Sequence, residues 1–333
     1  TIKQKKFKKL KILNCRNRFY INNLNHLCDT LEKLDCSGQY CGVRQYGISM
    51  LKKIKVLICS RNYYITDVNH LGNSLEELHC GEIFYDHERY LNREDTFCNT
   101  NTTETSYPMD ICNFNKKNEK FDANNITFSF GMRRYGINQD GIEKLVNLKI
   151  LNCSNNHHIR NVNHLKDTLE KLYCARTCGI NQYGISELKH IIVIDFTNNH
   201  KIRDVNHLSD TLNILHCGCD YLGSKNAITY AGISELKNLR ILNCENNVNI
   251  FTVKKFSNTL KELYCAGSAI DQNSISQLKL LKKLYCDENN IIFDVNHLAD
   301  TLEELACSRV MDEKGISQLR HLKILKYNGN SHI

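Results

Sequence analysis

The chain has no tryptophan and a single proline, Pro108, in 333 residues. It lacks any run near the roughly 20 apolar residues that a membrane-spanning helix needs, and no secretory leader pattern opens it. There is no His-Glu-x-x-His, no Gly-x-Gly-x-x-Gly and no nucleophile elbow, which removes the short signatures of zinc hydrolases, dinucleotide enzymes and α/β-hydrolases. Seventeen cysteines are present, yet no Cys-x-x-Cys occurs, and Cys217-Gly-Cys219 is the tightest pair. These absences predict a protein that is not an enzyme, holds no cofactor or metal and does not enter a membrane.

What the chain does have is repetition. One phrase reads DVNHLxDTLExLxC, as at Asp67–Cys80, Asp204–Cys217 and Asp294–Cys307; the other reads GISxLKxLxxLxC, as at Gly232–Cys244. Their closing positions fall at Cys15, Cys36, Cys59, Cys80, Cys153, Cys174, Phe196, Cys217, Cys244, Cys265, Cys286, Cys307 and Tyr327. Most are about 21 residues apart, a period that marks a solenoid of stacked coils. The long step from Cys80 to Cys153 reads as holding two worn copies, Met109–Phe114 and Asn125–Phe130. Residues 1–333 are therefore expected to form one repeat domain of about 13–15 coils, with 82–124 a polar insertion or degenerate repeats within it.

The end of each phrase alternates apolar and variable residues, the pattern of a short half-buried strand. In Lys171-Leu172-Tyr173-Cys174, Leu172 and Cys174 should face the core and Lys171 and Tyr173 the other side. Some fifteen residues remain per coil, too few for a full crossover helix. The return arms should be extended or make one tight helical turn. In arms such as Gly184–Leu188, Ile and Leu stand three apart behind a serine, which predicts a turn with that serine near its N-cap.

This frame resembles the leucine-rich-repeat motif L-x-x-L-x-L-x-x-N/C-x-L, with cysteine in the third leucine place. Leu148-Lys-Ile-Leu151-Asn-Cys153-Ser-Asn-Asn156 carries it in full. The motif's asparagine recurs at Asn62, Asn156, Asn199, Asn247, Asn289 and Asn330, in the GIS-type coils alone. The resemblance implies an α/β leucine-rich-repeat solenoid, a curved horseshoe with a parallel β-sheet on its concave face and short 3₁₀ or α turns or extended arms on its convex face. The Cys- and Asn-rich wording looks most like repeat proteins of giant DNA viruses of the mimivirus type, and the LxDTLExL arm is similar to FNIP-type short repeats. It implies a cytoplasmic protein, in the host cytoplasm if viral.

Eleven cysteines fill the closing column, where Phe196 stands in the same place, so the site reads as buried apolar filler. Side chains stacked in parallel lie alongside one another, which disfavours a disulfide ladder, and a reducing compartment suits free thiols. His26, His70, His164, His207 and His297 recur in NHL, two coils or roughly 10 Å apart, too far to share a metal. They read as arm residues that support a turn.

The net charge of +8 is modest. Lys3–Lys11 is a dense basic opening, read as a solvated end, and aromatic interleaving there is limited to Phe7, so nucleic acid is a minor reading. The residue just before each closing position should face the open side of the sheet. There Tyr173, Asp195, His216, Asn243, Tyr264 and Tyr285 make the expected partner-binding stretch, rich in types that contact proteins without a deep pocket. The expected function is a monomeric, non-enzymatic scaffold that binds a host or viral protein through the concave face. The alternative is the substrate-recognition part of an F-box-type ubiquitin-ligase adaptor whose F-box lies outside this chain.

Overall fold

Each phrase lays down one strand because its apolar residues recur at every second position and are followed at once by a turn. The computed structural model describes residues 9–81, 136–220, 228–308 and 310–328. Within them the strands are β1 (Ile12–Asn14), β2 (Lys33–Asp35), β3 (Val56–Ile58), β4 (Glu77–His79), β5 (Ile150–Asn152), β6 (Lys171–Tyr173) and β7 (Val193–Asp195). They continue through β8 (Ile214–His216), β9 (Ile241–Asn243), β10 (Glu262–Tyr264), β11 (Lys283–Tyr285), β12 (Glu304–Ser308) and β13 (Ile324–Asn328). All belong to one 13-stranded sheet whose order is the chain order. Every pairing is parallel and in register, so Leu172 lies between Leu151 and Ile194.

β4 is bonded directly to β5, with Leu78 opposite Leu151. The Cys80 amide donates to the Asn152 carbonyl at 2.8 Å. The two worn copies, the 82–124 interval, Lys3–Lys8 and Asn330 lie outside the described residues. The strands are short because the chain turns two residues past the column, where Asn155, Asn198 and Asn246 adopt φ of 63°, 60° and 58°. Asparagine tolerates this left-handed conformation better than most side chains.

The middle leucines and the column form one hydrophobic cluster running from Cys15 to Met311. Leu172 and Cys174 are fully buried, and each leucine so placed contributes about 1.5–3 kcal/mol. The cysteines are all free among the described residues. Burial raises the thiols of Cys59, Cys244 and Cys265 well above their ordinary range and that of Cys80 to about 12, so the column is a neutral filler. Tyr327 departs from this pattern: on the last described strand it is exposed.

The arms explain why two phrases alternate. Five of the six described NHL-type arms make a 3₁₀ turn over the NHL residues themselves, as at Asn163–Leu165 and Asn206–Leu208; the sixth is Lys254–Phe256. GIS-type arms make a single helical turn, as at Gln182–Ile185. That turn ends at the serine rather than starting from it. In three of these turns the N-cap is Asn181, Asp271 or Asp312, each accepting from a backbone N–H of the turn. Arg44, Gln139 and Thr229 start the others without a side-chain cap bond. Ser186 instead sits at the C-terminal end and donates to the Tyr183 carbonyl at 3.0 Å, because the buried Ile185 and Leu188 straddle the end of the turn.

Polar side chains then clamp each coil to both neighbours. The Asn163 amide donates forward to Tyr183 O, and its oxygen accepts from Glu187 N. Gln182 repeats the device one coil later, donating to Asp204 O while accepting from the amides of Arg203 and Asp204. The NHL histidine reaches backwards: Nε2 of His70, His164, His207 and His297 lies 3.0–3.1 Å from the carbonyl of Ile48, Ile142, Ile185 and Ile275 respectively. A carbonyl can only accept, so Nε2 carries the proton. Thus NHL coils grip GIS coils on both sides.

These histidine rings are partly exposed at their outer edge while Nε2 turns inward, and that partial burial lowers the pKa of all four. The unfolded chain therefore binds more protons as pH falls through the ordinary histidine value, near 6.5. Stability from these four sites is present above that pH and is lost on acidification below it. Denaturant unfolding between pH 7.5 and 5.5 should show a falling midpoint, and a His→Gln change at all four positions should flatten the fall. An unchanged pH slope in that variant would exclude the histidines as its cause.

Candidate protein-binding surface

The residue before each column position does face away from the core, and Tyr173, Asp195, His216, Asn243, Tyr264 and Tyr285 stand in one row across β6–β11. The row holds them together but leaves little of them open. Only His216 is appreciably exposed, whereas Tyr173, Asp195, Asn243, Tyr264 and Tyr285 are all at or below 9%. The reason is visible at its C-terminal end. A parallel, in-register ladder sets like residues about 4.8 Å apart, so Tyr264 and Tyr285 stack with ring centroids 4.8 Å apart and planes 17° from parallel.

Their hydroxyls are also engaged. Tyr264 donates to Glu262 at 3.1 Å and Tyr285 to Glu304 at 2.8 Å. Lys283 lies between the two carboxylates, 4.0 Å from Glu262 and 3.4 Å from Glu304, and the Lys326 ammonium stands 5.4 Å from the Tyr285 ring centroid. Each aromatic ring here has a neighbouring ring, cation or carboxylate as its partner. Further along the row, Asp195 accepts from the Thr197 amide, and Asn243 accepts from the amide of Glu245 and donates to its carboxylate. Burial, with the nearby Asp195 and Glu77 carboxylates, raises the Tyr173 phenol. The stretch is a self-satisfied floor more than a sticky surface.

Exposed aromatic side chains lie off this row, Tyr183, Phe251 and Phe293 on later coils and a further set on the first ones. In the first three coils the segments that follow the strands, residues 15–23, 36–46 and 59–66, contain Arg16, Arg18, Arg44 and Arg61 but no Asp or Glu. The second runs into the helical turn Gln45–Ile48 that carries Tyr46. Phe19, Tyr20, Tyr40 and Tyr46 there are 53–68% exposed. Phe19 and Tyr20 pack ring on ring, 3.6 Å between centroids, and the Arg44 guanidinium lies 4.7 Å from the Tyr64 centroid. The sequence signal was present in the words RNRFY, RQY and RNYY. Because it is divided over three loops, the strand-centred frame passes over it.

Among the described residues no three His, Cys, Asp or Glu are grouped to hold a metal ion, and no helix is long and apolar enough to cross a membrane.

No protein-family model matches the chain, and no curated protein matches it. Solved structures do. The functional domain of InlJ from Listeria monocytogenes, described as including a cysteine ladder, superposes with a TM-score of 0.53 at 16% identity, covering 98% of this chain and 64% of that one. A leucine-rich-repeat protein of Leptospira interrogans gives a TM-score of 0.49 at 16% identity, covering 95% of this chain and 81% of that one. The chain thus spans less than two thirds of the Listeria protein's length. The fold is a leucine-rich-repeat solenoid, with one parallel sheet and short turns on the return arms.

Proposed function

We propose that this chain is a non-catalytic scaffold that binds a protein partner. The observation that carries the reading is the group of exposed Phe19, Tyr20, Tyr40 and Tyr46 set among Arg16, Arg18 and Arg44 without a carboxylate in those loops. Tyrosine and arginine are enriched among the residues that carry interface energy, tyrosine because its ring buries a large, stiff surface at low entropic cost and arginine through its planar, multi-donor guanidinium. The local excess of positive charge favours an acidic partner surface and speeds its encounter. The row from Tyr173 to Tyr285 serves in this reading as a rigid floor, with His216 as its accessible member. A titrating pocket of clustered acid and base groups, which catalysis would need, has no counterpart in this surface.

Fifteen free thiols among the described residues fit a reducing compartment, and we place the protein in the cytoplasm, as a monomer, in the host cytoplasm if it is viral. The F-box reading predicts in addition that the other subunits of a ubiquitin ligase co-purify with the full-length protein.

Affinity purification from the source cells tests the proposal, using the wild type, a Tyr40→Ala/Arg44→Ala/Tyr46→Ala variant and a Tyr173→Ala/Tyr264→Ala/Tyr285→Ala variant. A partner that is lost with the first set and rebinds the purified wild-type protein supports the loop surface. Loss with the second set alone returns the site to the sheet. A wild type that retains no partner, or one indifferent to both sets, contradicts the proposal.

A further inference from the structure

Six buried thiols repeat one arrangement twice. In the coils of β1 and β2, Cys15 and Cys36 sit in the column and Cys41 projects from the loop that follows. In the coils of β5 and β6, Cys153 and Cys174 sit in the column and Cys178 projects from the equivalent loop. All six are at most 2% exposed. Column neighbours lie side by side, the orientation that disfavours bonding. The loop thiols differ because they come from a separate segment and meet the column sulfur of the preceding coil. Cys178 Sγ is 3.7 Å from Cys153 Sγ. Cys41 takes the same place against Cys15, its thiol donating to the Cys15 carbonyl oxygen at 3.5 Å.

We propose that Cys153 with Cys178, and Cys15 with Cys41, are paired dithiols that a hydroperoxide closes into disulfides, each joining two adjacent coils. The sulfurs of the first pair need to approach from 3.7 Å to about 2.05 Å, a movement within reach of side-chain rotation and a small loop shift.

The two members of each pair differ in reactivity. Cys41 is held below the ordinary thiol value, first by the Cys15 thiol that donates to it, while its own burial opposes the shift. Burial also opposes ionisation of Cys178, but the Cys153 thiol, the backbone amides of Ile180 and Gly179, and the Lys201 ammonium together outweigh it. Cys15 and Cys153 are pushed the other way. The loop thiol is therefore the attacking group and the column thiol the resolving one.

In the first step the Cys178 thiolate attacks one peroxide oxygen and the O–O bond breaks. Hydroxide leaves and takes up the thiol proton as water, and Cys178 becomes a sulfenic acid. The Cys153 sulfur then attacks the Cys178 sulfur, and the sulfenic oxygen departs as a second water with the Cys153 proton. Two thiols lose two electrons, one peroxide gains two, and one S–S bond forms.

The test treats the folded, full-length protein with graded hydrogen peroxide, blocks the remaining thiols by alkylation after denaturation and maps linked peptides by mass spectrometry. The expected result is Cys153–Cys178 and Cys15–Cys41 links, each with a mass loss of about 2 Da, formed ahead of any column–column link. Cys178→Ser should abolish the first link and keep the second, with an unchanged circular dichroism spectrum. Oxidation confined to Cys153–Cys174 or Cys15–Cys36, or links involving only Cys28, Cys98 and Cys112, overturns the proposal. So does survival of both pairs as free thiols at a dose that oxidises the partly exposed Cys28.

Discussion

Gly184→Ala is expected to destabilise the protein by about 3 kcal/mol, at the upper end for a single methyl group added to a packed site. A Cβ at Gly184 would lie 2.1 Å from the Arg160 carbonyl oxygen of the preceding coil. The same contact recurs at 2.1–2.2 Å for Gly47, Gly141, Gly232 and Gly315. The obstacle is backbone, which cannot rotate away. This closeness has a purpose, since the Gly184 carbonyl accepts the Val162 amide at 2.9 Å and ties the two coils together. One coil shows what a side chain requires here. Ser274 occupies the glycine place fully buried, and its hydroxyl accepts the Val253 amide at 2.8 Å and contacts the Thr252 hydroxyl.

A hydroxyl can thus replace the lost carbonyl bond, whereas a methyl cannot. Gly184→Ser should accordingly cost about half as much as Gly184→Ala, since one net hydrogen bond is worth about 1 kcal/mol. Denaturant midpoints of the two variants against the wild type check this ordering. Serine and alanine equally damaging, or both neutral, would show that the coils do not meet as closely as described.

Asn199→Ala should cost about 4 kcal/mol, because one side chain satisfies two buried carbonyls and a partly buried amide. Its amide donates to the carbonyls of Cys174 at 2.9 Å and Ile180 at 3.0 Å, and its oxygen accepts the Lys201 amide at 3.2 Å. Asn62, Asn156 and Asn247 make the same bonds in their own coils, whereas Asn289 keeps the Ile270 carbonyl and the Ile291 amide but donates to the Ser268 carbonyl in place of the column carbonyl. Asn199→Asp keeps the acceptor but loses both donors and sets a carboxylate against two carbonyls, so it should be no milder than alanine. Equilibrium unfolding of both variants decides. A loss below about 1 kcal/mol, the worth of one net hydrogen bond, would mean that water replaces the asparagine.

Much of this was legible in the order of residues. The column at Cys153, Cys174 and Cys217 and the asparagine at every second coil define the solenoid, because stacking copies the same contact into each turn. The serine of GIS was misplaced by the same logic. Its phrase is repeated for the packing of Ile185 and Leu188, while the residue that starts the turn varies between Asn181, Asp271 and Asp312. The NHL histidines read as supports of their own turn, because their partners, carbonyls 22 residues upstream, leave no mark on side-chain identity.

The open face was legible as a row but not as a surface. Alternation says which way Tyr264 and Tyr285 point, yet their burial comes from each other and from Glu262, Lys283 and Glu304 on neighbouring strands. The exposed Phe19, Tyr20, Tyr40 and Tyr46 fall outside the strands, where alternation carries no information.

Continuity of the ladder underlies all of these expectations, and amide hydrogen exchange resolved to single residues at Cys80 measures it. That amide donates to the Asn152 carbonyl, one of the main-chain bonds that join the coils on either side of the long interval. Protection at Cys80 matching that at Cys153 and Cys174, whose amides donate to Tyr173 and Asp195, is the predicted result. Exchange at Cys80 as fast as in an unstructured peptide, with Cys153 and Cys174 protected, would split the sheet in two and contradict the account.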